Sequence, residues 1–210
     1  MTEKTVEQFT EELASSEPVP GGGGAAALAG ALALALGSMT CALAQERRKG
    51  MDETRKAEAE ELHHKCENLS RSMLSLVDRD SEVFAPLRAA LRMPHTTPEE
   101  KAAREREMEQ RYEEAAAVPL QILSEAERGL RILEKAARFG SRFLLSDIGT
   151  AAVLLRASAE SAQMIIRTNT MCMKNRSRAD CIDFEADELM SVIKAEAGML
   201  CRQVQEDLGL

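Results

Sequence analysis

From Pro18 to Ala44 the chain carries no Asp, Glu, Lys or Arg, and that stretch constrains everything around it. It opens Pro18-Val19-Pro20-Gly21-Gly22-Gly23-Gly24 and continues to Ala44 mostly in Ala, Gly and Leu rather than in bulky aliphatics. Such a run is buried in lipid, in a protein core, or against a second copy of itself. Its length suffices for a membrane span. Ala is only weakly apolar, however, and everything that follows is patterned as charged amphipathic helix, which favours a core helix of a soluble protein. The helix is expected from about Gly23 or Gly24 to Glu46. Small residues at Ala27, Gly30, Ala31, Gly37 and Ser38 let neighbouring backbones approach closely, so it is expected to be the hub of a bundle.

Two readings of the glycines stand side by side. Glycines before a helix offer close backbone approach and free N–H groups that hold an anion or a carbonyl; they also suit a tight turn into a crowded helix pair. Gly21–Gly24 matches neither a P-loop nor a dinucleotide fingerprint, and no strand precedes it.

The rest reads as helices without strand-like alternation. Thr5 and Gln8 make a capping box for a short first helix ending near Ser15. A long third helix starts at Asp52, with apolar positions at Leu62, Cys66, Leu69, Met73 and Leu76, then Val83, Leu87 and Ala90, up to a stop at Pro94. This is a heptad seam with one position missing, and the missing position is Asp80. A carboxylate on a buried seam is costly unless paired or functional, so Asp80 is either a site residue or marks a place where the seam opens to water or an Arg. Thr97-Pro98-Glu99-Glu100 caps a fourth helix, kinked at Pro119 and closed by Gly140. Ser146 or Asp147 caps a fifth, running to about Asn169 and again rich in small residues. In the plainest reading Asp147 is only that cap. A sixth runs from about Arg178 or Asp180 to Leu208.

Composition narrows the function. A net charge of −8 and 3% aromatic residues argue against nucleic acid, which needs a basic face and stacking platforms. Five widely spaced cysteines without a C-x-x-C indicate neither a disulfide framework nor a zinc site, and point to a reducing cytoplasm. The acidic N-terminal stretch lacks the order of a signal peptide. His63 and His64 are adjacent, splayed about 100° apart on a helix, and are expected to face solvent, so no metal site is expected.

Pro18–Leu32, Asp78-x-Asp80-Ser81-x-x-Phe84, Val118-Pro119-Leu120 and Ser146-Asp147-x-Gly149-x-Ala151-Ala152 together resemble the formiminotransferase-cyclodeaminase C-terminal domain family, over nearly the whole chain. The resemblance implies one all-α domain over residues 1–210, an antiparallel bundle of five to six long helices, homodimeric. It implies folate one-carbon chemistry with a tetrahydrofolate derivative as substrate and no tightly bound cofactor. The reaction that the resemblance leads us to expect is methenyltetrahydrofolate cyclohydrolysis, with formimidoyltetrahydrofolate cyclodeamination as the alternative and a non-catalytic helical assembly protein as the rival of another class. On this reading Asp147 is the principal acid/base and Asp80 a second carboxylate that tunes it or contacts the pterin. Gly21, Gly22, Gly23 and Gly24 supply backbone contacts, and Ser146, Gly149 and Asn169 line the site. Arg47, Arg48 and Lys49 hold the anionic glutamate tail, or else only complement the helix dipole. The chain departs from the family pattern at Gly24, where many relatives have Ser. It departs again at Gly140–Leu144, which replaces Gly-Asn-x-Asn-Ala, and at Ile165, which replaces Asn.

Overall fold

The computed structural model describes residues 1–47 and 52–210, the side chains of Glu46 and Arg47 excepted. Among the described residues it contains six helices and no strand: α1 (Val6–Leu13), α2 (Gly22–Arg47), α3 (Glu53–Leu91), α4 (Pro98–Ala137), α5 (Arg142–Cys172) and α6 (Arg176–Leu208). The all-α expectation holds.

Local chemistry explains most of the helix starts. Thr5 with Gln8 and Thr97 with Glu100 form reciprocal capping boxes, the second with Pro98 at the first helical position. Asp52 accepts the Arg55 amide at the start of α3. Several boundaries differ from the sequence expectation. α5 begins at Arg142 behind Ser141, so Ser146 and Asp147 lie inside the helix and neither caps it; the Ser146 hydroxyl donates back to the Phe143 carbonyl at 3.0 Å. α4 ends three residues before Gly140, and α3 ends at Leu91 rather than Pro94. α6 starts at Arg176, where the Asn175 side chain accepts the Arg178 amide.

α2 passes the length and composition test for a membrane span over Gly22–Gln45, yet 56% of that window is buried inside the protein. Its neighbours reach its backbone directly. The Ser158 hydroxyl of α5 donates to the Ala26 carbonyl at 2.6 Å, and the Ser70 hydroxyl of α3 donates to the Ala31 carbonyl at 3.0 Å. Only small side chains leave room for such approaches. A Cβ on Gly37 would stand 2.4 Å from a Leu133 methyl and 3.1 Å from the Cys66 sulfur.

α2 shares the centre of the bundle with α4: among the described residues α4 packs against α2, α3, α5 and α6, and α2 against α3, α4 and α5. At Gly129 of α4 a Cβ would lie 2.9 Å from Leu34 of α2 and 3.0 Å from Leu155 of α5, which marks the meeting point of three helices. The highly charged first half of α4 is equally structural. Both carboxylate oxygens of Glu109 accept backbone amides, from Lys174 at 2.6 Å and Asn175 at 3.0 Å, and Glu113 pairs with Arg178. These contacts hold the α5–α6 turn against α4. The outer face of α2 keeps Leu32 and Met39 exposed, and α5 beside it exposes Val153 and Met164.

Close approach reverses the usual effect of Gly→Ala in a helix. Gly37→Ala is expected to destabilise by about 1–3 kcal/mol through overpacking. Gly198→Ala, with only the flexible Arg202 guanidinium nearby, is expected to stabilise by about 0.5–1 kcal/mol. Urea unfolding of the two variants checks the pair.

Candidate active site

The N-terminus of α2 needs acceptors for its first amides, and Gly21, whose carbonyl accepts the Ala25 N–H, has no side chain to offer another. Asp80 supplies one from α3: its Oδ2 accepts the Gly24 N–H at 2.9 Å, so a carboxylate distant in sequence does the work of an N-cap. The fit is close. A Cβ on Gly23 would lie 2.0 Å from Asp80 Oδ1 and 2.4 Å from its carboxyl carbon, which no side chain can occupy. Gly24 is less constrained, because a Cβ there would make ordinary contacts with Val77 and Pro20, and a Ser at that position would fit.

The second oxygen of Asp80 makes no hydrogen bond among the described residues, and Asp80 lines a cleft of about 290 Å³. The walls are Pro18, Val19, Gly21, Gly22 and Gly23 from the loop and α2, Val83, Phe84 and Leu87 from α3, Ala115 from α4, and Ile165, Thr168 and Asn169 from α5. Phe84 stands one turn beyond Asp80 on the same face of α3. Asn169 spends its amide nitrogen on the Ile165 carbonyl at 3.0 Å and the Ala115 carbonyl at 3.4 Å. Burial in this largely apolar setting pushes the Asp80 carboxyl above the ordinary carboxylate range, and the Gly24 amide, which favours the ionised form, offsets part of the effect. A carboxylate of this kind, with one oxygen held and one free, suits proton transfer to and from a bound ligand.

The cleft thus gathers Gly21, Gly22, Gly23, Asp80 and Asn169, with Gly24 behind them. It does not contain Ser146, Asp147 or Gly149. Residues 147 to 165 span roughly 27 Å of helix at ~1.5 Å per residue, so those three sit toward the opposite end of α5. There Ser146 is exposed, Asp147 is half-buried with no hydrogen bond among the described residues, and Gly149 faces Val204 of α6. The backbone of Arg47 ends α2 on that side too; its side chain, and Arg48 and Lys49 entirely, fall outside the described residues. Val83, Phe84, Thr168 and Ile165 were not singled out as site residues from the sequence. Phe84 carried a signal, its i+4 relation to Asp80; Thr168 carried none.

The sequence model described as formiminotransferase-cyclodeaminase matches residues 5–188. The chain is 32% identical over 203 residues to the methenyltetrahydrofolate cyclohydrolase of Methylorubrum extorquens, covering 97% of this chain and 95% of that one. It is 27% identical over 202 residues to the formimidoyltransferase-cyclodeaminase of Rattus norvegicus, of whose length it spans 37%. The crystal structure of a formiminotetrahydrofolate cyclodeaminase from Thermotoga maritima shares the fold, with a TM-score of 0.86 over 100% of this chain and 99% of that one, at 23% identity.

Two outcomes follow from the cleft. Because the folded-state carboxyl of Asp80 titrates above its unfolded value, the protein loses stability as pH rises from the ordinary carboxylate range through the raised value. Asp80→Asn keeps an acceptor for Gly24 and removes that cost, so its melting temperature is expected to exceed the wild type at neutral pH, with the gain fading on acidification; thermal melts across pH 3–8 check this. Gly23→Ala forces the carboxylate from its seat and is expected to cost about 1–3 kcal/mol, measured by urea unfolding.

Proposed function

We propose a function for this chain from the family it belongs to, formiminotransferase-cyclodeaminase: it is an enzyme of folate one-carbon metabolism that hydrolyses 5,10-methenyltetrahydrofolate to 10-formyltetrahydrofolate. The relative that matches it end to end is named for that reaction. The observation that carries the mechanism is the Asp80 carboxylate, seated on the Gly24 amide with its other oxygen free in an apolar cleft.

Binding places the cationic methenyl carbon, which bridges N5 and N10, beside that carboxylate. Coulomb attraction in a site of low polarity draws Asp80 into its ionised form. Asp80 takes a proton from water as the oxygen bonds to the methenyl carbon, and a neutral tetrahedral adduct forms. Asp80 then returns the proton to N5 as the N5–carbon bond breaks, while the adduct hydroxyl loses its proton to become the formyl oxygen. One proton of the water ends on N5 and the other is released. Phe84 supplies a flat ring and Ile165 an apolar wall for the pterin, and the Gly21–Gly23 backbone permits its close approach.

Asp147 and the backbone of Arg47 at the end of α2 lie too far away to serve the same cleft within one subunit; residues 23 to 47 alone span roughly 36 Å of helix. We assign them to the site of a second copy. α2 and α5 run antiparallel, with Gly22 against Ile165 at one end, and together they expose an apolar face through Leu32, Met39, Val153 and Met164. A two-fold axis lying in the plane of that face and perpendicular to the helices buries it against its copy and brings the partner's Asp147 end toward this Asp80 cleft. In that arrangement the Arg47 end of α2 approaches the cleft, and positive charge there offsets the net negative charge for the glutamate tail.

Cyclodeamination is the second reading, favoured by the relatives and the solved structure that bear that name. There Asp80 would protonate the departing nitrogen as N10 attacks the formimino carbon.

In a spectrophotometric assay of methenyltetrahydrofolate, run where spontaneous hydrolysis is slow, Asp80→Asn is expected to lower kcat by about 100- to 10,000-fold. Ammonia release from 5-formiminotetrahydrofolate separates the two reactions, and activity on neither substrate overturns the assignment. The shared site is read from mixed dimers. If Asp80 and Asp147 meet across the interface, a dimer of one Asp80→Asn and one Asp147→Asn subunit regains about half of the wild-type activity, since one of its two sites is intact. No recovery, with both homodimers inactive, places the two acids in one subunit.

A further inference from the structure

The α2–α3 seam carries a second group of chemically capable residues, residues 67 to 80 of α3 putting it roughly 20 Å of helix from Asp80. His63, His64 and Glu67 each offer one donor atom, and these atoms lie within 4.8 Å of one another. Adjacent positions diverge at their Cα atoms, yet here both rings turn toward Glu67. His64 Nδ1 is 3.5 Å and His63 Nε2 4.0 Å from the same Oε2.

His63 is held by α2. Its Nδ1 stands 2.8 Å from the Ser38 hydroxyl and 3.2 Å from the Ser38 backbone carbonyl. A carbonyl can only accept, so the tautomer that uses this contact carries its proton on Nδ1, and in that tautomer the lone pair of the neutral ring stands on Nε2, on the Glu67 side. Fixing one ring nitrogen by a carbonyl so that the other presents a lone pair is how metal-binding histidines are oriented.

We propose that His63, His64 and Glu67 bind a divalent transition-metal ion of the zinc type, with His63 Nε2, His64 Nδ1 and Glu67 Oε2 as protein ligands and water completing the shell. Two imidazoles and a carboxylate suit Zn²⁺, Co²⁺ and Ni²⁺ and disfavour Mg²⁺ and Ca²⁺. Ligand distances of about 2.0–2.2 Å require the three donors to draw together, and the two that must move are free to do so: His64 is exposed and Glu67 about one-third exposed. Arg71, whose guanidinium lies 3.5 Å from the same Glu67 oxygen, gives way to the ion, since its side chain is largely exposed. The metal ties two successive turns of α3 together beside the Ser38 contact with α2. It thereby stabilises the seam and takes no part in the chemistry at Asp80.

Isothermal titration of the full, untagged chain with Zn²⁺ tests this, with Co²⁺ visible absorption as a spectroscopic reporter. The expected result is one saturable site per chain and a rise in melting temperature with Zn²⁺. His64→Ala and Glu67→Gln should each weaken binding by about tenfold or more, while His95→Ala and a Cys172→Ser/Cys181→Ser variant keep it. Both ligand variants alter exposed or half-exposed side chains, and their unliganded melts confirm folding. Absence of saturable binding, binding that survives in both ligand variants, or binding lost with the cysteines overturns the proposal.

Discussion

The contact between Asp80 and the first turn of α2 is the one on which the rest of the candidate site depends. It satisfies a helix terminus, since the Gly24 amide would otherwise lack an acceptor. It fixes where α3 lies against α2, because the carboxylate occupies the place of a missing Gly23 side chain. It also sets the electrostatics of the cleft: the same burial that seats the carboxylate raises its affinity for a proton. One interaction therefore caps a helix, positions another and prepares an acid/base group. The stability given up by burying that charge is retained in a place where chemistry can use it.

Backbone proximity governs the remainder. Hydroxyls of Ser158 and Ser70 reach the carbonyls of Ala26 and Ala31, and glycines at positions 30, 37 and 129 each stand where a methyl group would collide with a neighbouring helix. Small residues cover little surface per turn, so much of the bulk at the centre of the bundle comes from α4, whose second half is buried on several sides at once through Val118, Ile122, Leu123, Leu130 and Leu133. The consequence for α2 is an apolar outer face, which is why a second copy of the chain enters the proposed mechanism.

Much of this was legible beforehand, and the reasons are specific. The gap in the α3 seam identified Asp80 because a charge at a heptad core position has no cheap explanation. The glycine run announced a close approach, and the approach proved to be that of Asp80 itself. Thr5 and Thr97 were readable caps because capping chemistry is local. The start of α5 was misplaced because Ser146 and Asp147 are good caps in isolation, whereas the chain enters the helix at Ser141, which makes no side-chain capping bond. Likewise the acidic first half of α4 reads as a solvated face, although Glu109 and Glu113 hold the α5–α6 turn from more than sixty positions away.

The sequence alone determined the helical class, a plan of five to six helices, the family and the identity of the unusual carboxylate, since periodicity, caps and motifs act over one or two turns. Tertiary structure decided what those residues meet. Asp80 and Gly24 are joined while Asp80 and Asp147 are not, because the antiparallel course of α2 and α5 puts the glycine run and Asn169 at one end of the bundle and Asp147 toward the other. Long helices carry nearby sequence far apart in space, so membership of a site is a property of packing. The same packing turns two adjacent histidines toward one glutamate, although a helix diagram sends them in different directions.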